Sequence, residues 1–168
     1  MKLTIIDNDG FLALVDTNRY QSFVTEDWEF EQLISHFIDQ SNKGNMIMWR
    51  TGYSGDKWIV NFEQEKSDKI AFREFETQIE VTDESLYITE YADLTMAASY
   101  EDSKIPSNHN SDLVINLENG IYNVLVRQLF NPDLDYSDIQ EHFEIVLEKV
   151  TEKSNNGIDN IMWFDPKE

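Results

Sequence analysis

Cysteine is absent from this chain of 168 residues. That excludes disulfides, iron–sulfur clusters and thiol catalysis. Basic residues are scarce. Thirteen Lys and Arg stand against 33 Asp and Glu, a formal charge of −20. A field of that sign repels nucleic acid, whose binding needs basic groups to release counterions. It also repels anionic membrane surfaces, and it steers basic partners inward. Only three histidines occur, His36, His109 and His142, and none stands at ligand spacing from another. No apolar run approaches the roughly 18 residues of a membrane span. No glycine-rich phosphate loop is present. Residues 1–9 are too few and too soon acidic for a secretory signal, which leads to the expectation of a cytoplasmic protein.

What is present favours strands. The chain holds ten Phe, seven Tyr and four Trp, residue types that suit a pleated, half-buried surface. The most regular stretch is residues 74–81. There Phe75, Thr77, Ile79 and Val81 alternate with Glu74, Glu76, Gln78 and Glu80, the pattern of a strand with one apolar face and one carboxylate face. Phe72 and Phe75 both read as inward yet lie three apart, so a bulge is expected near Arg73. Asp9-Gly10 predicts a hairpin between residues 3–6 and 11–15, and Asn119-Gly120 another between 113–117 and 121–129. Residues 46–51 and 57–63 read as a third hairpin around Gly52-Tyr53-Ser54-Gly55-Asp56, with Trp49 and Trp58 flanking the loop. Asp83-Glu84 turns the chain into a strand over 86–91. Met96, Ala97, Ala98 and Tyr100 read as a short turn of helix or as a ragged edge. A strand from Phe143 turns at Asn156-Gly157 into a last one over 161–164.

One amphipathic helix is expected over residues 25–41. Its stripe is Phe30, Leu33, Ile34, Phe37 and Ile38. Thr25 would cap it, Glu26 and Asp27 would sit on its positive first turn, and Gly44 would end it. The sum is a single domain over residues 1–168, mainly β: an antiparallel sandwich of about eight or nine strands with one helix packed against it. Hairpin links argue against parallel pairing.

Catalytic and metal motifs are weak. Gly52-Tyr53-Ser54-Gly55 misses the nucleophile-elbow spacing and lies between strands, so Ser54 reads as a hairpin tip. Asp133, Asp135 and Asp138 alternate as calcium ligands do, but the glycine and glutamate of a calcium loop are missing. His36 lies beside the helix stripe and reads as structural. His142 faces away from Phe143 and could titrate near neutral pH. The ordered acids are more informative. Glu74, Glu76 and Glu80 share one side of a strand, with like positions about 7 Å apart. Such a row guards a strand edge against aggregation in the plainer reading; in the other it presents phosphate-like charge to a basic protein.

The order of these features resembles the competence protein J family. Asp27-Trp28 opens a helix, and Met46 to Trp49 and Trp58 to Phe62 follow as strands. Then come Phe75 to Val81, Leu86 to Ile88, Leu113 to Leu117, Gly120-Ile121-Tyr122 and His142 to Leu147. The resemblance implies a small acidic bacterial protein that blocks a DNA-entry nuclease by charge and shape. The leading expectation is therefore a non-catalytic inhibitor or immunity-type protein that needs no cofactor or metal. It binds a basic, nuclease-like partner, not nucleic acid or membrane, through Glu74, Glu76 and Glu80. Two alternatives stand beside it. One is a self-associating structural or adaptor domain, using exposed Trp and Tyr near residues 52–58 or Trp163. The other is a calcium- or ligand-binding sandwich using Asp133, Asp135 and Asp138.

Overall fold

The computed structural model describes residues 1–23, 25, 27–52 and 54–167. Among them lie nine strands: β1 (Lys2–Ile6), β2 (Phe11–Val15), β3 (Met46–Arg50), β4 (Lys57–Glu63), β5 (Arg73–Val81), β6 (Ser85–Glu90), β7 (Val114–Asn116), β8 (Gly120–Gln128) and β9 (Phe143–Val150). Two helices, α1 (Phe30–Asn42) and α2 (Tyr91–Ser99), complete the set. One sheet runs β1-β4-β9-β8-β5 and the other β3-β2-β6-β7.

Side-chain alternation explains the layers. The inward residues of β4, β5, β8 and β9, among them Trp58, Val60, Ile79, Val124 and Ile145, meet Leu12, Leu14, Trp49, Leu86 and Ile88 of the other sheet. Fully burying one such aliphatic side chain contributes about 1.5–3 kcal/mol. The second face of the four-stranded sheet is covered too. Phe11, Ala13, Val15, Met46 and Met48 pack under Leu33 and Phe37 of α1 and Leu94 and Ala98 of α2. A strand buried on both faces needs no polar alternation, and β2 reads Phe-Leu-Ala-Leu-Val with all five residues buried. At β5 the outer face of the five-stranded sheet is turned towards solvent, so this strand keeps its alternation.

The mainly-β sandwich with a helix packed on it is as expected; its connections are not. β1 and β2, β3 and β4, β5 and β6, and β7 and β8 each fall in opposite sheets, so none of these pairs is a hairpin. The tight turns are real, but they carry the chain from one layer to the other. The corner after β1 shows how. The Asp7 carboxylate accepts the N–H groups of Asp9 (3.0 Å), Gly10 (2.8 Å) and Phe11 (3.3 Å). It also accepts the Thr51 hydroxyl and the Trp58 indole N–H, both at 3.0 Å. One buried carboxylate thus replaces the ladder bonds that the chain forgoes on leaving a sheet. Gly55 must pass close by, because a Cβ there would stand 2.0 Å from the Asp7 carbonyl oxygen. Trp49 and Trp58 are buried in the core instead of framing an exposed loop.

Further differences accompany these connections. The strands are not all antiparallel: β4 and β9 run parallel, with Val60 opposite Phe143 and Glu63 opposite Val146. The return from β8 brings β9 alongside β4 in the same sense. The helix starts at Phe30, because Glu29 and Gln32 form its capping box, with the Glu29 N–H donating to Gln32 Oε1 at 2.8 Å. Thr25 does not cap; its N–H donates to the Ala98 carbonyl at the end of α2, 2.9 Å away. Glu26 lies outside the described residues. Residues 91–99 form a full helix, capped by the Glu90 carboxylate on the N–H groups of Ala92 and Asp93. At the far end no strand forms over 161–164. Trp163 adopts φ +61°, and the contact reduces to a bridge between Trp49 and Met162. Near Arg73 the register of β5 with β8 is unbroken from Arg73 to Val81, and the Phe72 N–H still reaches the facing strand, donating to the Gln128 carbonyl at 2.8 Å. Phe72 nonetheless points outward and is half exposed.

Candidate functional site

The outer face of the five-stranded sheet carries the carboxylate row of β5, and strand register shows what stands beside it. The first cross-strand row reads Glu74, Arg127, Glu144, Asn61 and Lys2. Arg127 is only 2% exposed and Glu144 is fully buried. Segment 64–72 crosses over them. Arg127 donates to Glu144, to Glu74 (3.1 Å), to the Ser67 carbonyl (3.3 Å) and to the Lys69 carbonyl. Lys66 adds a bond to Glu74 at 3.0 Å. Hydrogen bonds from Lys66 and then Arg127 hold the Glu74 carboxyl below its usual range. At Glu144 burial pushes the pKa up, but bonds from Ser67 and Arg127 outweigh it and leave the carboxyl lowered. Glu80, at the other end of the row, is ion-paired with Arg19.

Between these ends the face changes character. The next row reads Glu76, Leu125, Val146 and Glu63. Below it come Gln78, Asn123 and Glu148, then Glu80, Ile121 and Val150. No lysine or arginine occupies a strand position in these rows. Glu63, Glu76 and Glu148 are exposed, and no ion pair meets them among the described residues. The result is an apolar floor of Leu125, Val146 and Ile121 with a carboxylate rim. Of the three acids singled out in sequence, Glu74 and Glu80 are therefore neutralised in place and Glu76 is open. Glu63 and Glu148 escape a reading strand by strand, because β4 and β9 are brought to the same face by pairing alone. A signal existed in β8, whose Ile121 and Leu125 are apolar on the face opposite Tyr122, Val124 and Val126.

A cavity of about 480 Å³ lies at the free edge of β5, between residues 76–80, Asn42 and the segment 153–158.

The other candidates fall elsewhere. His36 packs edge-on against Tyr20 and Phe23, with ring centroids 5.8 and 4.9 Å away, and burial lowers its pKa. His142 accepts the Ile59 N–H on Nδ1 at 3.0 Å and packs against Trp58 and Phe130. Burial lowers its pKa, opposed by Asp56. Ser54 is exposed, and its neighbour Tyr53 lies outside the described residues. In the acidic loop Asp135 turns back on the Ser137 N–H at 3.0 Å. No group of three or more His, Asp or Glu is placed to hold a metal ion among the described residues. Trp163 is half-buried, edge-on to Phe75 and beneath the Arg73 guanidinium at 4.3 Å. No described helix is long and apolar enough to cross a membrane.

No family model matches the chain, and no curated protein matches it. Two solved structures are similar to it in fold. One is ComJ from Bacillus subtilis, an inhibitor of the DNA-degrading activity of NucA. It has a TM-score of 0.52 and 14% identity, over 89% of this chain and 96% of that one. The other is the protein of crocagin biosynthetic gene J, with a TM-score of 0.54 and 9% identity, over 87% of this chain and 94% of that one. At such identities the likeness is one of fold.

Proposed function

We propose that this protein is a non-catalytic binding protein of the inhibitor or immunity type, and that the outer face of its five-stranded sheet seats a basic, nuclease-like partner. The observation that carries the reading is the row Glu76–Leu125–Val146–Glu63 with Glu148 beside it. An apolar centre with a charged rim is how protein interfaces are built, and the rim here has one sign. The overall charge of −20 acts in the same direction. The fold likeness to an inhibitor of a nuclease agrees with it. Glu76 contacts the partner together with Glu63 and Glu148. Glu74 and Glu80 frame the face, their charge already shared with Lys66, Arg127 and Arg19.

Purified basic nucleases from the source organism provide the test. Association measured by surface plasmon resonance should be fast at low salt and slow steeply as salt rises. Glu76→Lys with Glu63→Lys should abolish inhibition of the nuclease while the fold persists. Binding that ignores both salt and these charge reversals would remove the proposal.

A further inference from the structure

β5 has an edge that no strand covers. It pairs with β8 and nothing else in its sheet. On the open side the Glu80 N–H donates to the Gly44 carbonyl at 3.0 Å. Backbone groups of alternate residues in a strand point the same way. Those of Gln78 and Glu76 therefore point out along this edge, and no hydrogen bond meets them among the described residues. They open into the cavity of about 480 Å³, within the 300–1,000 Å³ range of ligand clefts. Five successive residues, 76–80, line it. Residues of both faces of β5 share this wall, and Ile121 and Asn123 of β8 floor it, so the cavity takes in the edge of β5 and the strip of outer face beside it.

The far wall is held away from β5 by side chains. Gln78 accepts the Ser154 N–H on Oε1 (2.6 Å) and donates Nε2–H to the Glu152 carbonyl (3.2 Å). Asn42 accepts the Ile158 N–H (2.8 Å) and donates to the Ile158 carbonyl (3.0 Å). The two amides pin segment 152–158 across the cavity without letting its backbone bond to β5. A buried or half-buried backbone edge left without partners is costly, yet here both flanking amides keep it clear.

We infer that this slot takes an extended segment of the basic partner, added to the sheet as a further strand beside β5. The inference rests on the function proposed above and names how the partner is held. Strand periodicity sets the chemistry of the segment. Side chains on its outer face would stand beside Glu76 and Gln78, and the one beside the open Glu76 would be Lys or Arg. Those on its inner face would stand beside Thr77 and Ile79 and would be small or apolar. Lys153, on the far wall, disfavours a cation at the Glu80 end, where Arg19 already meets Glu80, so the basic side chain belongs beside Glu76.

The probe is a synthetic octapeptide of alternating lysine and valine, compared with the same peptide N-methylated at every second residue. Methylation removes the N–H groups along the edge of the peptide that would face β5 and leaves the charge unchanged. With the full chain, the unmodified peptide should bind about tenfold or more tightly than the methylated one. On binding, the amides of Glu76 and Gln78 should become protected from hydrogen exchange. Glu76→Pro removes an outward N–H without breaking a bond to β8 and should weaken binding more than Glu76→Gln. Equal binding of the two peptides, or protection elsewhere in the protein, overturns the slot. So does absence of peptide binding. A nuclease that still binds in that case leaves the outer face as the interface, whereas failure of nuclease and peptide together removes the function proposed above as well.

Discussion

Replacing Arg127 by methionine would leave the Glu144 carboxylate buried without its cation. Arg127 is 2% exposed, Glu144 fully buried and Glu74 about 40% exposed. The Glu74 contact is screened by water and adds little. The loss therefore falls on Glu144 and on the two carbonyls, Ser67 and Lys69, that the guanidinium serves. Breaking a buried pair by removing one partner costs about 3–5 kcal/mol, a large part of the roughly 5–15 kcal/mol that stabilises a domain. Urea unfolding at neutral pH should show a loss of that size in Arg127→Met. Glu144→Leu added to Arg127→Met should restore most of it, since an apolar pair of similar volume needs no solvation. The pH dependence has a definite sign. The Glu144 carboxyl is lowered from 4.5 in the native protein, so its contribution is present above pH 4.5 and fades as pH falls through the lower folded value. In Arg127→Met the carboxyl no longer has that support, and acid should narrow the gap between variant and parent. A loss under about 1 kcal/mol at neutral pH would refute the reasoning, because it would mean that the carboxylate is hydrated.

Other outcomes follow from the same geometry. Glu148→Lys should slow association with a basic partner while leaving thermal stability within about 0.5 kcal/mol, as for other exposed positions; stopped-flow and calorimetry separate the two. Gly55→Ala should destabilise by more than about 2 kcal/mol in thermal unfolding, since its Cβ would meet the Asp7 backbone at 2.0 Å. Gln32→Ala should cost about 1 kcal/mol by removing the acceptor of the Glu29 N–H. The His142 pKa is lowered from 6.5 by burial, so the unfolded chain takes up its proton first as pH falls. Stability should decline below about pH 6.5, and His142→Asn, which can keep an acceptor for Ile59, should flatten that decline in denaturant titrations.

The legible parts of this protein were those decided by near neighbours. Alternation in residues 74–81 fixed which side of β5 is buried, and the stripe from Phe30 to Ile38 marked α1. Even the start of α1 was written locally, in Glu29 and Gln32, though Thr25 offered a more familiar cap. The connections were not legible. Asp9-Gly10 and Asn119-Gly120 reverse the chain, but a turn does not say whether its arms bond to one another or to separate sheets. That depends on partners such as Asp7 with Thr51 and Trp58, 44 and 51 residues apart.

The candidate face divides the same way. Composition determined its sign, and alternation placed Glu74, Glu76 and Glu80 on one side of a strand. Pairing decided the rest. It set Arg127 against Glu74 from 53 residues away, while the turn after β2, packed at the edge of β5, brought Arg19 to Glu80 from 61. It carried Glu63 and Glu148 in from β4 and β9. Charge is a property of the chain and can be counted. Which charges share a surface depends on strand register, and register is set by the packing of side chains distant in sequence.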